Sequence, residues 1–573
     1  VIKHQQRKWA IVGISAALVV AGTVVGVRLT SGDNERGQAV VVWGASQPFP
    51  DNFLPISTGT LSTAQLVVQV LPAPFRLRPD LTVVRDEDLL TSEPASHLAG
   101  GRQIVTYRLN RQARWSDGRP IDAGDFEFSW QIQRSADPAR GGCPALLSTS
   151  GYDQIASVTR ADSGRTAVVT FSRPFADWKG LFNPLLPAHL MDSGDPAKNC
   201  ATIKRGWPSA QGVPISGGPW KIDQADVNPG KKTVTLTPNR AYWGHQPKLD
   251  RLIWQSFGPD AAGGEDGAVI NALRAGEIEV ADPRPQYDLV GQLKALAPAL
   301  VTEVRPGLTF DHLDFNVTNV HLRQKAVRQA IATALDRSTV VRSTVGQMDP
   351  AARILNNRIY MTSQPEYEAT NGGRYEHADV ASARRLLEGA GYTIGSDGVY
   401  VKDGRRLSLE LMTTPADPIR MAAAEVISAE LRRAGFEITL FPNRNIFGDK
   451  HTATSLESGD FQMAVYSWVS GPFITPDQTI YASPRGGSIG QNYTRGGDAR
   501  VDELFGRLAT ETDAADEVTM ANRIDRLLWD DLFTIPLYQR PVLEIHDHNL
   551  LNVSLNPAFV GLGWNANDWA LRR

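Results

Sequence analysis

Few residues in this chain are spaced for covalent or metal chemistry. Cys143 and Cys200 are the only cysteines among 573 residues, too few for a tetrathiolate zinc site or an iron–sulfur cluster. His546-Asp547-His548 could offer two imidazoles to a metal, but at i and i+2 on a strand they read as a solvated face. Gly263-Gly264-Glu265-Asp266-Gly267 has the glycine density of a phosphate loop, yet no lysine and no preceding strand, and reads as a solvent loop. The carboxylate pairs Glu87/Asp88 and Asp530/Asp531 are adjacent in sequence and mark exposed faces. HExxH, GxxxxGK[ST] and a junctional GxGxxG are all missing. The expectation is a protein without catalytic residues, metal or cofactor, with an extracytoplasmic hydrolase as the weakest of three readings.

The aromatic residues point to binding. Thirteen tryptophans are present, several beside glycine or proline and off any regular apolar face: Trp220 in GGPW, Trp243 in AYWG, Trp468 in YSWVSG and Trp564 in GLGW. Most should pack at lobe edges. One or two would line a cleft, where an aromatic ring offers area without charge.

The elements that must hold these residues are legible from periodicity. Short alternating runs at 103–110, 166–172 and 232–238 read as half-buried strands. Helices are expected at 61–71, 122–133, 322–335, 379–392 and roughly 515–532, and 422–441 reads as a helix followed by a strand. From about residue 310 helices and strands alternate, as in an α/β lobe. Lys and Arg number 59 against 62 Asp and Glu, a balance of -3 that argues against a nucleic-acid partner. Lys3, Arg7 and Lys8 precede an uncharged run from Trp9 to Val27, closed by Arg28. That pattern signals export, either as an uncleaved membrane anchor or as a signal peptide cleaved to release the body. No cysteine precedes Cys143, so a lipid-bearing cysteine is not expected after this run. Outside the cytoplasm, Cys143 and Cys200 are expected to form one disulfide.

Six blocks follow in a fixed order: YRLNRQARWSDGRPIDAGDFEFSW at 107–130, PISGGPWKI at 214–222, NRAYWGHQPKLDRLIW at 239–254, FNVTN with KAVRQAIATALDRSTVV, ARRLLEGAGY, and GDFQMAVYSW. In these blocks the chain resembles the extracytoplasmic solute-binding proteins of ABC importers, family 5, the oligopeptide/dipeptide/nickel group. CPALLSTSGYDQIASV at 143–158 and ADWKGLFNPLLPAH at 176–189 resemble an actinobacterial branch. That branch includes a lipoprotein associated with mannosylated phosphatidylinositol.

The resemblance implies an α/β fold, a two-lobed periplasmic-binding-protein clamshell (type II, large form) with an extra subdomain on lobe I. Residues 1–38 would be signal or anchor plus tether. Residues 39–307 would form lobe I with a subdomain at about 75–205, 308–535 lobe II, and 536–573 a return to lobe I. The implied partners are a peptide or other medium-sized solute and an ABC permease, the protein itself being a monomer. A glycolipid- or partner-binding role on the same scaffold is the alternative. Implied ligand-binding residues are Tyr466, Ser467, Trp468 and Gly471 on the second lobe, Phe49 and Phe53 on the first, and Trp220 and Asn316 near the crossings. Peptide-binding members share a W-x-x-D pattern whose Asp pairs with the peptide ammonium. Here it reads Trp468-Val469-Ser470-Gly471, with Asp477 the next acid along the loop.

Overall fold

The computed structural model of the chain describes residues 38–258, 266–294, 299–485 and 488–572. The run at 9–27 and Gly263, Gly264 and Glu265 lie outside the described residues. Among those described, no helix is long and apolar enough to cross a membrane.

The helices start where a short acidic side chain can take up the free amides of the first turn. Asp122 accepts the Gly124 N–H at 2.7 Å, and Asp125 reaches back to the Asp122 N–H at 3.0 Å, so helix Ala123–Gln133 opens with a reciprocal cap. Asp125 also accepts from Trp115 Nε1 at 3.3 Å and the Ala188 amide at 2.9 Å, and burial pushes its carboxyl up to about 6. At helices Val380–Gly389, Pro418–Ala434 and Ala514–Asp531 the side chains of Asp379, Asp417 and Asp513 accept first-turn amides. Each such cap contributes about 1 kcal/mol. Helix Pro418–Ala434 ends on Gly435, whose φ of 98° belongs to the left-handed region that glycine enters freely.

One large mixed sheet joins the two halves of the body. Its spatial order is Glu437–Pro442, Ser408–Thr413, Met463–Val469, Leu300–Phe315, Thr534–Asp547, Val280–Ala281, Val40–Ala45, Arg251–Ser256, Thr233–Pro238 and Trp220–Lys221. The strands at either end include parallel pairs, whereas Leu300–Phe315 and Thr534–Asp547 run antiparallel along each other through the middle. At 16 and 14 residues these two are long for strands, and each threads both halves. Their ladder breaks where Pro306 faces Pro541, because neither proline has an N–H to donate, and the register shifts before Phe310 meets Gln539. Gln539 spans the gap, donating from Nε2 to the Gly307 carbonyl at 2.7 Å and accepting the Thr362 amide at 2.9 Å.

Two large apolar cores lie on either side of this break. The first gathers residues between Val41 and Val280 with Leu550–Trp569, and the second gathers Val290 and Leu313–Val465 with Trp529–Tyr538. A separate four-stranded antiparallel sheet, Ala95–Ala99, Arg102–Arg108, Thr166–Phe171 and Ile155–Ala161, packs on helix Ala123–Gln133 within the first half. Cys143 and Cys200 are joined as a disulfide there, their Cα atoms 5.1 Å apart.

Candidate solute cleft

The candidate site lies where strand Met463–Val469 leaves the sheet and its loop meets the first half. Strand alternation places Tyr466 and Trp468 on one face and Ser467 on the other. Beneath Trp468 lies a fixed polar unit. Asp314 accepts the Tyr466 hydroxyl at 2.5 Å and holds His312 Nδ1 at 2.8 Å. The Trp468 ring then lies between two others, parallel to His312 with centroids 6.1 Å apart and to Tyr493 with centroids 5.7 Å apart. A stacked indole that keeps part of its surface exposed is a rigid apolar platform.

Ser467 belongs to a charge network on the opposite face. Its hydroxyl donates to Asp311 and accepts Arg420 Nη2 at 2.6 Å. Asp311, fully buried, accepts Arg540 in a bidentate pair at 2.8 and 3.1 Å, and Arg540 also reaches Asp417 at 2.8 Å. Burial works against the Asp311 charge, but Arg540, and after it Arg420, hold the carboxyl below its usual range. The network clamps strand Leu300–Phe315 to strand Thr534–Asp547 and to the start of helix Pro418–Ala434 just beyond the ladder break.

The loop after Trp468 makes contacts across the two halves. Phe473 sits over Gly180, where an added Cβ would come within 2.8 Å of the ring. The Thr475 hydroxyl donates to Asp177, and the Ala176 amide donates to the Ala509 carbonyl at 3.2 Å. Asp477 is half-buried and densely surrounded, and among the described residues no hydrogen bond or ion pair reaches its carboxylate. Burial, reinforced by the nearby Asp177, pushes it up to about 8. Asp177 is itself pushed up to about 6 by burial, and Glu517 to about 7 by burial and by Asp177, Glu366 and Glu511, with Lys179 opposing. Three carboxyls thus converge with little cationic compensation. An apolar layer continues from them toward the break: Phe310, Leu308, Leu355 and Met361 pack with Val560 and, more openly, with Trp468 and Trp564.

Trp468 and Gly471 therefore stand at the surface between the halves, and nothing lies within 4 Å of a Cβ built on Gly471. Four others lie deeper. Phe53 and Trp220 are fully buried in the first core, and Tyr466 and Asn316 are buried beneath the cleft. Asn316 spends its amide on the Gly459 and Phe461 carbonyls, both at 2.9 Å, so its hydrogen bonds hold a turn. Phe49 packs against Trp254, with centroids 6.5 Å apart. Ser467 faces the charge network, because consecutive strand residues cannot share a face. Asp177, Glu517, Arg420 and Arg540 were not expected from the sequence. Each lies far along the chain from its partners, and no local motif marks it. His546 is held by the Asp547 carbonyl at 2.8 Å, and no cluster among the described residues is arranged to hold a metal.

Comparison with known proteins places this geometry in a family. Residues 91–491 match the model described as bacterial extracellular solute-binding proteins, family 5. The chain is 30% identical over 532 residues to the oligopeptide-binding protein OppA of Mycobacterium tuberculosis, spanning 90% of this chain and 83% of that protein. It is 26% identical over 412 residues to the probable monoacyl phosphatidylinositol tetramannoside-binding protein LpqW of the same organism, 66% of this chain and 60% of that one. Among solved structures, the periplasmic EDTA-binding protein EppA superposes with a TM-score of 0.78 at 24% identity, covering 94% of this chain and 97% of that one.

Proposed function

The chain belongs to the bacterial extracellular solute-binding proteins of family 5, a binding family rather than an enzyme family, and on that premise we propose that it captures peptides between its halves for an ABC importer. One observation carries the peptide reading. The family's acid is replaced by Gly471, yet a half-buried, unpartnered Asp477 stands farther along the same loop, beside Asp177 from the other half. A peptide ammonium placed there would relieve the repulsion between the two carboxylates and give Asp477 its missing partner. Such a charge-assisted hydrogen bond contributes about 1.5–3 kcal/mol, a sizeable part of the ~8 kcal/mol of a micromolar affinity. The Trp468 platform would support the adjoining peptide unit.

Residues 39–307 and 536–573 act as one lobe and 308–535 as the other, pivoting at Pro306 and Pro541. Closure stores no energy of its own. It follows only if the solute binds the closed form better than the open one. Residues 9–27 keep the body at the membrane or are removed on export, and the closed monomer presents itself to the permease.

The test is calorimetric titration with a tetrapeptide pool and the same pool acetylated at the N-terminus. Acetylation is expected to weaken binding about 10- to 100-fold, which is the charge-assisted bond converted to affinity. Trp468→Ala should weaken both pools while thermal stability holds. Equal affinity for the two pools would remove the ammonium role. Failure of both pools to bind, with capture of a mannosylated phosphoinositide instead, would favour the second reading, envelope glycolipid recognition, to which the likeness to LpqW points.

A further inference from the structure

Beside the cleft, in the first half of the body, lies an apolar pocket with about 900 Å³ of open space, continuous with solvent. Three segments far apart in sequence form it. Helix Leu61–Val67 and the turn after it contribute Val67, Val68 and Leu71. Strand Phe75–Leu77 contributes both its ends. The C-terminal segment contributes Phe559, Val560 and Trp564. Gly217 and Gly218 close one side, where a side chain would collide with Pro72 or with the Gln69 carbonyl.

We propose that this pocket receives a bulky apolar side chain of the bound peptide, and that Gln69 reads a peptide N–H at its edge. The proposal rests on the peptide reading above and adds a preference to it. Three observations support it. Its walls are mainly aliphatic and aromatic. Four of its wall residues, Val68, Leu77, Val560 and Trp564, also belong to the apolar layer that packs with Trp468, so the pocket wall runs on into the layer beneath that ring. Gln69 is only 2% exposed: its Nε2 donates to the Trp564 carbonyl at 2.7 Å, while its Oε1 is buried and accepts nothing from the protein. A buried acceptor left without a donor is costly, and an N–H from an entering peptide would satisfy it.

The polar groups at the far wall do not compete for that role. Arg76 Nε pairs with Asp86 at 2.6 Å, and the other Asp86 oxygen accepts the Asp88 and Leu89 amides. The wall there is charge-balanced and favours neither a cationic nor an anionic side chain.

Two tetrapeptide pools with free N-termini provide the test, one drawing its side chains from Phe, Leu, Tyr and Trp, the other from Ser, Thr, Asn and Gly. Wild-type protein should bind the apolar pool at least tenfold more tightly. Val68→Trp, which fills the pocket from a half-exposed position, should erase that margin. Phe559→Ser removes a wall residue that is 51% exposed, so it tests the pocket without threatening the core, and it should narrow the margin severalfold. Equal affinity of wild type for both pools, or a margin untouched by both variants, would overturn the pocket assignment and leave the peptide reading standing. Binding of neither pool would overturn both.

Discussion

Asp477 sets the pH behaviour expected of the cleft. In the closed arrangement its carboxyl is pushed up to about 8, that of Asp177 to about 6 and that of Glu517 to about 7, burial being the main cause in each. Opened to water, the same groups would titrate near ~4. Between ~4 and these raised values the closed form holds more protons than the open one, so raising the pH disfavours closure without a cation. Above about 8 all three are ionised in both forms and the dependence ends. A solute ammonium that ionises Asp477 removes the Asp477 part of this dependence above pH ~5, because the carboxyl is then charged in both forms, and the ammonium is itself lost above ~8. Affinity for free-amine peptides should therefore fall more gently than that of acetylated peptides between pH 5 and 7.5, where Asp177 and Glu517 still take up protons on closure, and should fall further beyond 8 as the ammonium is lost. Titrations across that range check this, and Asp477→Asn should bring the two profiles together between pH 5 and 7.5. Matching profiles for both peptide types would refute it. At this scale block position singles out Trp468 and Gly471. It cannot mark Asp177 or Glu517, which meet the loop only after folding. It also groups Tyr466, Ser467 and Trp468 together, and the two-residue period of a strand separates them.

Among the elements, the pair of long strands decides how the halves can move. An unbroken antiparallel ladder of that length would resist bending, because every residue pair adds a hydrogen bond. Pro306 opposite Pro541 removes donors from both strands at one level, and Gly307 allows close approach there. A Cβ on Gly307 would lie 2.8 Å from the Arg540 carbonyl oxygen and 2.8 Å from a Val542 methyl. Since the first of these is backbone, the strands must separate to accept it. Gly307→Ala is thus expected to cost about 1–3 kcal/mol of stability, the range for overpacking, read as a lower midpoint in urea with an unchanged slope. No shift in midpoint would mean that the crossing is looser than its geometry. Helices and strands were largely legible beforehand, because alternation, acidic caps and glycine stops are local signals. Helix Ala123–Gln133 with its Asp122 cap and strand Thr166–Phe171 fall where periodicity puts them. The break was not, since Pro306 and Pro541 lie more than two hundred residues apart and each alone reads as an ordinary strand edge.

For the whole molecule, function depends on a balance between open and closed forms, and the contacts across the cleft are few enough to alter one at a time. Phe473 over Gly180, Thr475 on Asp177 and the Ala176–Ala509 backbone bond join the first half to the second away from the shared sheet. Gly180 is exposed enough that a larger side chain need not disturb the first core, yet any Cβ there meets the Phe473 ring. Gly180→Leu should therefore raise the free energy of the closed form while leaving each lobe folded. Apparent affinity falls in proportion to the binding-competent fraction, so a penalty of ~1.4 kcal/mol on closure appears as a tenfold weaker Kd. Small-angle scattering separates this from a damaged binding surface. Wild type should contract when saturated with the free-amine peptide pool. At saturating peptide Gly180→Leu should reach the same contracted dimension, because mass action restores a closed state that is only less populated. A variant that binds tightly without contracting, or a wild type that never contracts, would show that solute is held without closure and that the two halves act as a fixed frame.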